Sequence, residues 1–380
     1  MSTELELLSG PDAGDLLASV FAPAGGHPVE WTVTQVDHDR ATVAYAARVA
    51  WADGTVSDET LGAAAAPLPA GVTLLSDGTT EVGMWRFPFD PDLPGLAAAC
   101  DPARMTRLAN RLGLAGTARL RVRTYRPRRR AVVEVTTPAG TVFVKVLRPD
   151  RVEQVHELHR RAVGAHTPAP LGWTPDGLLV LAALPGSTLR AELLAGRPAL
   201  RVEDVVATLD ALPACLAAGP LRRTWGQKAW HYAEIVAATA PGLASRARAV
   251  AAEVDHVDPE GPPVPAHRDF YEAQLMVSGG RVTGLLDIDT AGRGERLDDA
   301  ACLLAHLDVL AQLHPGLRHP GPALRARFER DLDRAALARR IAAVVLSLAT
   351  GPYRVRDPRW LTATGERLAL AESWLDQRFP

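Results

Sequence analysis

Hydrophobic and polar positions alternate along the first part of the chain and later change period. From about Pro28 to Phe89 the period is two, the mark of half-buried strands. Trp31-Thr32-Val33-Thr34-Gln35-Val36 alternates and stops at Asp37-His38-Asp39. Ala41 to Trp51 resumes the pattern, and Ala52-Asp53-Gly54-Thr55 predicts a hairpin turn. A further hairpin is predicted from Val72–Leu75 and Glu81–Phe87, turning at Ser76-Asp77-Gly78-Thr79. Phe87 to Gly95 is rigid and rich in turn residues, a linker expected to pack its aromatics. Asp101 followed by Pro102 marks a helix start, running to Leu112. Strands are predicted at Leu120–Tyr125, Ala131–Thr137 and Thr141–Val146, then a helix from Pro149 to about Gly164 and an apolar strand from Leu178. From Leu189 to about Asp255 the spacing is three and four, as in helices, punctuated at Gly219-Pro220 and Pro241-Gly242; Trp230 and His231 are expected in its core. An apolar patch at Val264 leads into a polar loop. Leu275-Met276-Val277 and Val282–Leu286 then predict two short strands joined at Ser278-Gly279-Gly280, where glycine tolerates positive φ. Helices resume at Leu297, where His306 is expected to pack, and run from Leu324 to Phe379 with a break at Gly351-Pro352-Tyr353-Arg354.

Length and composition narrow the classes. A chain of 380 residues, 47% hydrophobic, is long enough for two or three folding units with real cores. With 42 basic and 44 acidic residues the formal charge is −2, without the basic surplus of a nucleic-acid binder. Cys100, Cys215 and Cys302 lie far apart, odd in number and without metal-ligand spacing, which suits a reducing cytoplasm. Met1 to Asp15 has no apolar signal-peptide core, and no apolar run reads as long enough to cross a membrane. Neither a membrane nor a protein partner is signalled.

The candidate chemistry gathers in His267-Arg268-Asp269-Phe270-Tyr271-Glu272-Ala273-Gln274 and in Leu285-Leu286-Asp287-Ile288-Asp289. The predicted hairpin brings Asp269, Gln274 and Asp287 to one place. Two carboxylates and an amide carbonyl are hard oxygen ligands and suit Mg²⁺. Asp289 shares a side with Asp287 and could be a second metal ligand or a substrate contact. Lys145, inside Val142-Phe143-Val144-Lys145-Val146, is either an outward-facing lysine on an alternating strand or a buried cation that needs an anion. The Arg126-Pro127-Arg128-Arg129-Arg130 loop reads equally as a phosphate-neutralising element or a solvated basic turn. Glu272, Asp289, Glu295 and Asp298 could line an acidic pocket for a cationic aminosugar, or serve a metal.

In this order the motifs resemble those of the aminoglycoside phosphotransferase and choline kinase-like family, relatives of protein kinases. The family's H-x-D-x-x-x-x-N loop appears as His267, Asp269 and, in place of Asn, Gln274; its I-D-x-x-x-x-G run appears as Leu286-Asp287 with Gly292-Arg293-Gly294. Leu184-Pro185-Gly186-Ser187-Thr188-Leu189 resembles its L-P-G-x-x-L hinge. The resemblance covers roughly residues 101 to 380 and implies an α+β, bilobal protein kinase-like fold, with a small β-rich N-lobe (101–186) and a larger helical C-lobe (187–380). A β-rich module (1–100) precedes it, of the sort found in bacterial maltokinases. The implied activity is transfer of the γ-phosphate of ATP, with Mg²⁺, to a hydroxyl of an aminoglycoside, sugar or similar small molecule. The implied roles follow the motifs. Asp269 orients and deprotonates the acceptor, and His267 braces the loop. Asp287, Gln274 and Asp289 serve the metal. Lys145, paired with Glu157, and Arg130 serve the nucleotide phosphates. The backbone at Ala183 and Leu184 receives the adenine, and Asp299 helps hold the catalytic loop. The alternatives are a nucleotide-binding pseudokinase and a metal-dependent hydrolase.

Overall fold

The computed structural model describes residues 3–376, apart from 66, 69, 77–79 and 256–261. The chain divides into two compact units: Met1–His156 with Pro170–Ala183 and Tyr353–Pro358, and Glu157–Ala169 with Leu184–Pro352 and Arg359–Pro380.

The first unit opens with two helices that the alternating pattern did not signal, α1 (Thr3–Ser9) and α2 (Ala13–Phe21). They cover an antiparallel sheet of order β1-β2-β3-β5-β4, built from β1 (Gly26–Asp37), β2 (Thr42–Trp51), β3 (Val56–Ala65), β4 (Thr73–Ser76) and β5 (Glu81–Arg86). The fully buried Leu8, Leu17, Phe21 and Tyr45 join helices to sheet, and the Tyr45 hydroxyl donates to the Leu8 carbonyl at 2.5 Å. The hairpin predicted between β4 and β5 pairs as expected; its turn residues Asp77, Gly78 and Thr79 lie outside the described residues. In the linker the Phe87 ring packs 5.1 Å from Tyr125, but Phe89 is 44% exposed, contrary to the expectation that both aromatics pack. A helical turn, α3 (Leu96–Ala99), leads to α4 (Pro102–Arg111), whose N-cap Asp101 accepts from the Arg104 amide at 2.9 Å.

A second antiparallel sheet follows, of order β6-β7-β8-β10-β9: β6 (Arg119–Arg126), β7 (Arg130–Thr137), β8 (Gly140–Leu147), β9 (Pro170–Trp173) and β10 (Leu178–Ala182). One face packs Val133, Val144 and Val180 on Leu96 and Met105. The other carries Leu147 and Leu179 against Val152 and Val155 of α5 (Pro149–Arg161). Lys145 stands two residues from Leu147 and opposite Leu179, so period two puts it on the α5 face. It is only 6% exposed, which removes the outward-facing reading.

The second unit is helical: α6 (Leu189–Leu194), α7 (Val202–Asp210), α8 (Ala229–Thr239), α9 (Ala244–Val254), α10 (Arg296–Leu313), α11 (Gly321–Phe328), α12 (Arg334–Ala349) and α14 (Trp360–Leu375). Its core runs through Leu303, Leu304, Leu307, Ile341, Val345 and Leu368. The break expected at Gly351 is itself a helical turn, α13 (Gly351–Arg354), so 334–354 is long and apolar enough to cross a membrane by length and composition, contrary to expectation. That stretch is 67% buried over its most apolar window, and packing inside the protein accounts for its apolarity. Trp230 (41% exposed) and His231 lie on the solvent side of α8, not in the core; the Trp230 indole donates to Asp255 at 2.9 Å.

Set into the helices are β11 (Ser187–Thr188), β12 (Val264–Ala266), β13 (Leu275–Ser278), β14 (Arg281–Leu285) and β15 (Gly292–Gly294). β13 and β14 form the predicted hairpin. Gly279 at φ 56 and Gly280 at φ 76 make its two-residue turn, the handedness that suits strand twist. β12 pairs with β15, which brings the residue before His267 beside Gly292.

Candidate functional site

The loop after β12 hangs from one carboxylate. Asp299, in the first turn of α10 and fully buried, accepts the backbone N–H of His267 at 2.8 Å and of Arg268 at 2.7 Å. Burial pushes its carboxyl pKa up, while the nearby His267 and these two N–H groups oppose the shift. Arg268 is left-handed at φ 66, strained for a residue with a side chain, and the paired bonds hold it there. Its guanidinium donates to the carbonyls of Thr290 and Pro220 at 3.3 Å each, and to that of Arg293. A Cβ at Gly292 would lie 2.9 Å from that guanidinium and would push it from its place.

His267 is fully buried, and its Nε2 lies 2.8 Å from the Leu286 carbonyl. A carbonyl can only accept, so Nε2 carries the proton. The ring therefore ties the loop after β12 to the residue before Asp287. Thr290 adds a hydroxyl bond to the His267 carbonyl at 2.9 Å. Gln274, 7% exposed, donates its N–H to the Tyr271 carbonyl and accepts from Leu286 N–H, both at 2.8 Å. Gln274 and Asp287 are thus held one backbone step apart. Asp287 leaves β14 at φ 53, ψ 49. Hard oxygen donors on fixed backbone fit Mg²⁺ that also draws ligands from phosphate and water.

Tyr271 lies between Arg190, whose guanidinium is 5.4 Å from its ring centre, and His306, stacked at 4.3 Å. His306 is packed, as expected. Burial, reinforced by Asp269, raises the Tyr271 phenol to about 12.

Two features escaped the sequence. His159, fully buried on α5, has Nδ1 3.1 Å from the Pro168 carbonyl and Nε2 3.5 Å from Asp289. Its spacing from Val152 and Val155 put it on the apolar face, and that was the available signal. The second feature concerns the Arg126–Arg130 loop. The module before it supplies carboxylates: Asp90 accepts the Arg128 N–H at 2.9 Å and the Tyr125 hydroxyl at 2.8 Å, and Asp92 takes the Arg128 side chain at 3.0 Å. Arg129 meets Asp37 at 2.5 Å and Asp39 at 3.6 Å. So neither the solvated turn nor a loop reserved for phosphate describes Arg128 and Arg129.

Glu157 is bonded by Arg160 at 2.6 Å and Arg161 at 2.7 Å, which hold its carboxyl down at about 2. Three of the four acids proposed for an aminosugar pocket have cationic neighbours. Glu272, fully buried, pairs with Arg190 at 2.6 Å, and Glu295 and Asp298 meet Arg340. Asp289 faces the His159 ring.

A family model described as the phosphotransferase enzyme family matches residues 127–327, more than half of the chain. The chain belongs to this family. It is a phosphotransferase acting on small-molecule hydroxyls, with the bilobal, kinase-like fold of its relatives. Among solved structures, a thermostable mutant of aminoglycoside phosphotransferase APH(4)-Ia in its apo form aligns with a TM-score of 0.50 and 15% identity, over 71% of this chain and 99% of that one. A choline/ethanolamine kinase family protein from Mesorhizobium loti aligns at 0.49 and 18% identity, over 72% and 94%. No curated protein sequence matches.

Proposed function

We propose that this phosphotransferase uses ATP and Mg²⁺ in the cytoplasm to phosphorylate a hydroxyl of an aminoglycoside, sugar or related metabolite. The observation that carries the reading is the Asp299 clamp, because it fixes the backbone next to Asp269. In phosphoryl transfer the protein mainly positions groups and offsets charge, so a preset loop is what the chemistry needs. Asp269 aligns the acceptor hydroxyl and takes its proton late at a carboxylate oxygen. His267 positions the loop and touches neither reactant. Gln274 and Asp287 would hold Mg²⁺, which when bound offsets the charge of the nucleotide phosphates. Asp289, beside His159, is the reserve ligand. Lys145 and Arg130 are assigned to the phosphates. Glu157 is assigned to Lys145, in exchange for its present arginines. The backbone at Ala183 and Leu184 is assigned to the adenine; the chain passes from one unit to the other between these residues. The division 1–100, 101–186 and 187–380 is retained for module, N-lobe and C-lobe. A hydrolase with His267 as a metal ligand would have to use Nδ1, since Nε2 is bonded to the Leu286 carbonyl. The test is γ-labelled ATP offered with aminoglycosides, sugars and amino alcohols. Label should reach one class; ATP·Mg²⁺ binding without transfer to any acceptor would make the protein a pseudokinase.

A further inference from the structure

Three cations gather beside the catalytic loop. The segment between α7 and α8 is tied to that loop where Arg268 donates to the Pro220 carbonyl at 3.3 Å. It is tied again where the Trp225 N–H reaches Asp298 at 3.4 Å. Lys228, half-buried, rests its ammonium 4.6 Å from the centre of the Trp225 ring. Among the described residues no carboxylate lies within salt-bridge distance of Lys228 or Arg222.

The acids nearby are already committed. Asp299 spends both oxygens on backbone N–H groups, and Asp298 and Glu295 meet Arg340. Burial lowers the pKa of Lys228 and of Arg268, Asp298 opposes the shift in both, and Arg222 lowers both further. A half-buried ammonium held only by an aromatic face keeps donors in need of an acceptor. An isolated surface arginine would need no explanation, but the repulsion of the exposed Arg222 on two held cations, Lys228 and Arg268, does.

We propose that Arg222, Lys228 and Arg268 form an anion subsite beside Asp269, which selects an acceptor whose hydroxyl compound also carries a carboxylate or phosphate. This inference rests on the phosphotransferase reading and narrows it: Glu272, Glu295 and Asp298, which would greet a polyamine, already meet arginines, while among the described residues Lys228 and Arg222 meet no carboxylate. An anion seated there would hold the acceptor by charge-assisted hydrogen bonds.

The test titrates inorganic phosphate into the enzyme saturated with AMP-PNP and Mg²⁺. Phosphate should bind the wild type, bind at least about tenfold more weakly to Lys228→Met and Arg222→Ala, and bind Lys228→Arg nearly as well. With γ-labelled ATP, sugar phosphates and hydroxy acids should accept label better than aminoglycosides. Lys228→Met should raise their KM about tenfold or more with kcat little changed. Equal phosphate affinity in wild type and both variants overturns the subsite. Phosphate binding that changes transfer to neutral acceptors, with no transfer to anionic ones, overturns the acceptor role and leaves a free-anion site. A protein that binds no AMP-PNP would sink the phosphotransferase reading separately; the same phosphate titration without nucleotide still judges the subsite.

Discussion

Asp269 sits one residue beyond Arg268, whose left-handed backbone at φ 66 sets the direction in which the next side chain leaves. Asp269→Asn should therefore lose turnover by about 10²–10⁴-fold while nucleotide affinity holds, as stopped assays and nucleotide titration would show. Normal turnover in that variant removes the mechanism. Tyr271 carries a pH prediction. With its phenol raised to about 12, it stays protonated across any ordinary assay range, so no loss of activity near the usual tyrosine value should trace to it. A pH–rate profile of wild type against Tyr271→Phe checks this, since a wild-type alkaline limb missing from the variant would contradict it. Gln274 bears on metal supply. Its amide oxygen is neutral and on a longer arm than asparagine's, so Gln274→Ala should raise the Mg²⁺ needed for half-maximal transfer, and Gln274→Asn should keep substantial activity. An unchanged Mg²⁺ dependence in the alanine variant shifts the role to Asp289. At this scale the motif residues were legible because their spacing along one loop sets their chemistry. His159 was not, because its meaning depends on Asp289, far away in sequence.

Among the elements, the β6–β7 turn carries the clearest interplay of charge and burial. Asp90 is 2% exposed and takes the Tyr125 hydroxyl and the N–H groups of Arg128 and Asp92. Asp90→Ala would strand these donors and should cost about 2–3 kcal/mol in urea unfolding. Burial raises its folded pKa above the unfolded value. The sign follows: the folded protein binds this proton more tightly, so the contribution of Asp90 is complete below its unfolded pKa and declines as pH rises through the folded one. The stability gap between wild type and Asp90→Ala should thus be wider at pH ~3.5 than at pH ~7; a gap that widens toward neutrality would be the wrong sign. Most strands of the two sheets could be read from alternation, since period two is a local property; β3, whose second half is buried throughout, and the four-residue β9 were not read. The use of Arg128 and Arg129 could not, because Asp37, Asp39, Asp90 and Asp92 enter from the preceding module.

For the whole molecule, helical spacing after Leu189 foretold a helical second unit, and family motifs foretold a phosphotransferase. The helices at Thr3–Ser9 and Ala13–Phe21 went unread, because at seven and nine residues they are too short for helical spacing to repeat. Apolarity likewise cannot tell a core helix from a spanning one, which is why 334–354 needed its burial to be understood. Asp299 has a consequence for kinetics. It belongs to α10, whose Leu303, Leu304 and Leu307 lie in the middle of the second unit's core. Released from this carboxylate, the His267–Arg268 loop would have to fray from a helix that cannot itself fray alone. Amide protons of His267 and Arg268 should then exchange with solvent only through wholesale opening of that core, on the same slow clock as the leucines of α10. Heat should silence the enzyme and unfold it in a single event, with no inactive but folded form between.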